Sequence, residues 1–197
     1  MNRTALYRLS AITLAIVLAG MSASPAAGTA QAVTGQARAV QVTTLATAVL
    51  ADTGTLAGTD DARDATLSTG SIPSVLSGEV LRAVTVGWPD QVASEASLSN
   101  LRMAVGGTGI SADFVMARAL AVLDGAATAS TLIGNLSVNG VPVDVTGSPN
   151  QTIAIPGGQL VINEQRTSAA GTTVNAIHAT VFGVADVVVA TATAGIQ

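Results

Sequence analysis

From Gly78 to the end of the chain, apolar side chains recur at every second residue, and Gly, Pro or Asn-Gly interrupts the run at short intervals. A two-residue period sends successive side chains to opposite faces of an extended strand, whereas an amphipathic helix needs a period near 3.6. Residues 79–88 (EVLRAVTVGW) carry Val80, Val84 and Val86 on one parity and Leu81, Ala83 and Thr85 on the other, and Pro89-Asp90 closes them. Residues 92–105 and 109–123 read as two long strands divided by Gly106-Gly107. Within the second, 112–123 (ADFVMARALAVL) also suits a helix, with Asp113 as N-cap and Gly125 as stop. Strand is favoured there because the flanking text is β-type.

The C-terminal half is built from hairpins. Asn139-Gly140 joins 136–138 to 141–143 in the two-residue pattern of a type I′ turn, whose central positions both need positive φ. Pro142 cannot donate to a ladder, so its strand lies at an edge or makes an irregularity there. Residues 152–155 and 159–165 form a second hairpin around Pro156-Gly157-Gly158, and 172–182 and 187–193 add two more strands. Upstream, 33–50 alternates small, polar and apolar types, while 51–74 reads as loop, punctuated by Gly54, Gly58, Gly70 and Pro73. The expected fold is all-β, an antiparallel β-sandwich or barrel-like meander.

Hydrophobic residues make up 49% of the chain but are mostly Ala and Val, and the only aromatics are Tyr7, Trp88, Phe114 and Phe182. The core must therefore be assembled from small and β-branched side chains, which suit pleated sheets. There is no Cys, which excludes a disulfide framework, a thiolate metal site and a thiol nucleophile.

Arg3 and Arg8 precede an apolar run over residues 9–21, and Ala30-Gln31-Ala32 has the A-x-A form of a cleavage site. The run falls short of the roughly 20 apolar residues of a spanning helix. The expectation is a cleaved signal peptide at 1–32 and a single β-domain at 33–197, with cleavage after Ala26 as the alternative and no stable membrane span after processing. The mature part would be secreted or extracytoplasmic, with a cell-surface position open to it. It would hold six Arg and no Lys against twelve acidic residues, a net charge of −6. Nucleic-acid binding depends on clustered cations, so that class is excluded.

Ser148-Pro149-Asn150-Gln151-Thr152, Leu160-Val161-Ile162-Asn163-Glu164-Gln165, Thr173-Val174-Asn175-Ala176-Ile177-His178 and the strand 186–195 (DVVVATATAG), in this order and spacing, resemble the choice-of-anchor P proteins. Residues 111–114 and 135–143 are similar as well. The resemblance implies an exported bacterial β-domain of undetermined activity and supplies no catalytic residues. That family attaches to the cell surface at the C-terminus, and Gly195-Ile196-Gln197 carries no sorting motif, so no C-terminal anchor is expected.

His178 is the only His. A turn near Ala170 would set it roughly opposite Asn163 and close to Glu164, where it would serve as a general base or lone metal ligand, or simply as a strand His hydrogen-bonded to Asn163 or backbone. No G-x-S-x-G elbow and no zinc set accompanies it. Asp60, Asp61 and Asp64 offer oxygen ligands for Ca²⁺ in a loop, though without EF-hand spacing. Trp88 stands at a strand end, as an anchor for a carbohydrate or protein partner or as a half-buried cap on the sandwich. The expected function is a non-catalytic structural, adhesive or binding domain that needs no cofactor. Its candidate partners are a cell-surface polymer, another protein or, through exposed strand edges, a second copy. The alternatives are an extracellular hydrolase using Glu164 and His178, or a Ca²⁺-stabilised adhesive module.

Overall fold

The computed structural model describes residues 31–197, so the expected signal segment lies outside the described residues except for Gln31 and Ala32. The strands are β1 (Val33–Thr43), β2 (Thr47–Asp52), β3 (Ala62–Ile72), β4 (Leu76–Trp88), β5 (Gln91–Val105), β6 (Thr108–Val122), β7 (Thr128–Gly134), β8 (Ser137–Val138), β9 (Val141–Pro142), β10 (Gln151–Ile155), β11 (Gly158–Ser168), β12 (Gly171–Val181) and β13 (Ala185–Ile196). They form two antiparallel sheets packed face to face and not closed into a barrel, a β-sandwich. One sheet runs β10-β11-β12-β13-β1-β2. The other runs β3-β4-β5-β6-β8-β9, with β7 also pairing β6.

Residues 112–123 belong almost wholly to β6, where Val115, Ala117, Ala119 and Ala121 face the core at a two-residue period. Asn139 (φ 51°) and Gly140 (φ 77°) both take the left-handed conformation of the expected hairpin, and Pro142 lies in the edge strand β9. The loop expected over 51–74 is corrected by β3, eleven residues long. As an edge strand it leaves most side chains in water, so it lacks the apolar alternation that marks a half-buried strand, and Asp64 and Gly70 disguise it further.

Leu81, Leu98, Leu101 and Ile110 of the seven-stranded sheet share one core with Leu160, Ile162, Ile177 and Val40 of the other, all of them fully buried. Each such side chain contributes roughly 1.5–3 kcal/mol by leaving water. Ser94 ties the layers with a polar stitch, its hydroxyl donating to the Thr193 carbonyl at 2.6 Å.

The six-stranded sheet is creased along one transverse row. Asn163 (φ 53°), Ala190 (φ 55°) and Ala51 (φ 48°) are left-handed inside or at the end of strands. All four ladders skip one pair at this level, and the flanking pairs set Asn163, Ala176, Ala190, Ala39 and Ala51 in one row across the sheet. A left-handed residue in a strand shifts the in-out alternation by one. Ile162-Asn163, Ala176-Ile177, Val189-Ala190 and Ala39-Val40 are accordingly buried as adjacent pairs.

Candidate functional site

The crease decides which side chains share the outer face of this sheet. Asn175 and His178 are three residues apart, so an unbroken strand would set them on opposite faces. The buried pair Ala176-Ile177 between them returns both to the solvent side. Across β11 the same slip turns Asn163 inward and Glu164 outward. The expected opposition of His178 and Asn163 is corrected: His178 pairs with Val161, and the hairpin turns at Ala169-Ala170. Asn163 is buried on the core side, donating to the Gly147 carbonyl at 3.0 Å and accepting from Gln165 at 2.9 Å.

Glu164 and His178 do come together, with Asp186 as a third member that the sequence did not disclose. His178 Nδ1 lies 2.8 Å from Glu164 Oε2, and Nε2 lies 2.8 Å from Asp186 Oδ2. The side chains of Glu164 and His178 are only 11% and 17% exposed. Water and salt therefore screen the contact weakly. A neutral imidazole has one N–H, which would leave one of the two carboxylates facing a bare lone pair. The imidazolium, with two donors, satisfies both.

The surroundings reinforce the charged pair. Asn175 donates to Glu164 Oε2 and Arg166 to Oε1, each at 2.7 Å. Thr191 donates to Asn175 at 2.8 Å, and Thr180 to Asp186 at 3.2 Å. Burial alone would raise the Glu164 pKa, but the bonds from Asn175 and Arg166 and the neighbouring His178 charge hold it below the ordinary value. For His178, burial works against the cation, yet the bonds to Asp186 and Glu164 outweigh it and the pKa is raised. On the next two strands Arg38 pairs with Asp52 at 2.8 Å and binds Gln41, while Gln36 donates to Asp52 at 3.0 Å. This gives the outer face a continuous polar row, Glu164-Asn175-Thr191-Arg38-Asp52. A shallow depression of ≈ 380 Å³ opens beside it, lined by Glu164, Arg166, Thr173, Asn175 and His178 among others.

The remaining expected residues stand elsewhere. Trp88 ends β4 on the outer face of the other sheet, 40% exposed. Asp61 is engaged by Arg63 Nε at 2.8 Å and by the Ala57 N–H at 2.7 Å. Asp64 lies within β3 and Asp60 in the turn before it. Among the described residues no group of three or more His, Cys, Asp and Glu side chains is arranged to hold a metal ion.

Asp186 was missed because nothing in the text DVVVATATAG marks its first residue as more than a strand end. Its pairing with Thr180 across the β12–β13 hairpin is what carries it to His178. No family model matches this chain, and no curated protein or solved structure matches it either.

Proposed function

We propose that the domain is a secreted or cell-surface β-sandwich with a structural, adhesive or binding role, and that the His178 cluster is a charged clamp rather than a catalytic centre. One observation carries this reading: both ring nitrogens of the only imidazole are engaged by carboxylates. A general base needs a free lone pair and a pKa near the working pH, and a general acid carboxyl needs a raised one. Here the carboxylate is shifted down and the imidazole up, so both shifts favour the ionised pair. The export-type N-terminus and the resemblance to choice-of-anchor P proteins support an extracellular setting.

The depression beside His178 favours a second reading, an extracellular hydrolase using Glu164 and His178 on a small polar substrate. Assaying the protein against ester, peptide and glycoside panels separates the two. The expected result is no turnover above buffer, together with a lower melting temperature for His178→Gln. Turnover that disappears in His178→Ala while the fold survives would overturn the proposal.

A further inference from the structure

Six turns share one end of the sandwich. They are 44–46, 73–75, 106–107, 139–140, 156–157 and 182–184, and the Thr43–Asp186, Gly158–Val181 and Gly109–Asn139 contacts gather them there. Gly106 approaches Val181 closely enough to bring the turns of the two sheets together. None of these turns holds an ionisable residue. Asp186, two residues past Val184, is the nearest along the chain and is already held by His178. Glu79, Arg102 and Asp144 come next, each four residues from a turn.

The same end presents the most exposed large apolar side chains among the described residues. Leu45 is 106% exposed, Phe182 70%, Val141 65% and Val184 59%; of the other described residues only Val80 reaches this range. Leu45, Phe182 and Val184 stand on tight turns and Val141 beside one, so they project singly instead of lining a groove. The opposite end carries the acids of the connections, with Asp60 and Asp61 before β3, Asp90 between β4 and β5, and Asp124 between β6 and β7. The connections are therefore polarised, with uncharged, apolar turns at one end and acidic ones at the other, and Asp186 and Arg102 stand just behind the uncharged turns.

We infer that the Leu45–Phe182–Val184 end is a docking surface for a lipid bilayer interface. Separate projecting apolar side chains need a partner that closes around each of them, and a fluid interface does so without a complementary shape. The turns themselves carry no ionisable side chain, so seating them at a membrane interface desolvates no charge of their own. Asp60, Asp61, Asp90 and Asp124 sit at the far end, away from the negative potential of an anionic leaflet. Asp186 of the His178 cluster lies two residues past Val184, but none of the projecting apolar side chains belongs to that cluster, and the inference stands whether or not the cluster is catalytic.

Residues 31–197 hold every described strand and the whole buried core and form a compact unit of their own, so this fragment is the one to test. It is expected to sediment with phosphatidylcholine vesicles, with or without a phosphatidylglycerol admixture. Leu45→Ser combined with Phe182→Ser lowers the bound-to-free ratio about tenfold or more, because the two side chains supply a large share of the apolar area transferred. Leu132→Ser, exposed on the outer face of the other sheet, leaves it unchanged. Phe182→Trp on a Trp88→Phe background shifts its emission to the blue on adding vesicles, while Trp88 of the unaltered protein, at the acidic end, does not shift. The melting temperature of the double variant stays that of the parent, since both side chains are already in water. Failure of the parent to bind vesicles, or equal binding by the double variant, overturns the inference. So does a dimer in sedimentation that the double variant dissolves, which would assign this end to a second copy.

Discussion

Replacing His178 by Gln removes the cation between Glu164 and Asp186 while keeping a polar side chain in the strand. A hydrogen bond to a charged group contributes about 1.5–3 kcal/mol. The bond to Glu164 is well buried and keeps most of that value. The side chain of Asp186 is 42% exposed. Its bond is therefore discounted for solvent screening. The loss works out at about 2–4 kcal/mol where the clamp is fully charged. For a domain of this size that lowers the melting temperature by roughly 5–12 °C.

The loss depends on pH in a defined direction. His178 has a raised pKa, so its stabilisation is complete below its ordinary value of 6.5 and fades as pH rises through the raised one. Glu164 has a lowered pKa, so its stabilisation is complete above its ordinary 4.5 and fades as pH falls through the lowered one. Both are fully present between 4.5 and 6.5. Urea unfolding of parent and His178→Gln across pH reads the difference. It is expected to be largest in that window and to shrink to about 1 kcal/mol in alkaline buffer, where the neutral ring satisfies only one carboxylate. A gap of equal size at both ends of the range refutes the charged clamp.

Val80 is a β-branched residue held at φ 48° with its side chain exposed. Val80→Asn therefore relieves backbone strain with little loss of burial and raises the unfolding free energy by about 1 kcal/mol in chemical denaturation. A Cβ at Gly158 would stand 1.8 Å from the Thr180 carbonyl oxygen, so Gly158→Ala forces β11 and β12 apart and is expected to abolish the cooperative melt in circular dichroism. Asn163→Ala loses the bonds to Gly147 and Gln165 and a side chain suited to left-handed backbone. It should cost about 2–3 kcal/mol by calorimetry. Millimolar Ca²⁺ is expected to leave the melting temperature unchanged, because Asp61 is already engaged by Arg63 and the Ala57 N–H; a rise would restore the adhesive-module alternative.

The sheet architecture was legible wherever both faces of a strand differed. β5, β12 and β13 announced themselves by parity, β6 only by its β-type surroundings, and Asn139-Gly140 and Gly106-Gly107 by turn chemistry. β3 was not legible, because an edge strand in water has no apolar face to advertise. The site was half legible for a related reason. Glu164 and His178 were found by residue type and by the hairpin between them. Their true geometry depends on the left-handed row through Asn163 and Ala190, which resets the alternation of four strands. Asn163 was the available sign, since Asn adopts that conformation more readily than other non-Gly residues. Ala190 gave none. Asp186 followed from cross-strand pairing with Thr180, a fact of register that only the folded sheet supplies.

Nitrogen-15 spectra of the His178 ring, recorded through a pH titration, bear most directly on the clamp. The account predicts a ring that is predominantly doubly protonated at pH 6.5, with a midpoint above that ordinary value. A ring predominantly singly protonated at pH 6.5, titrating at or below that value, would contradict it.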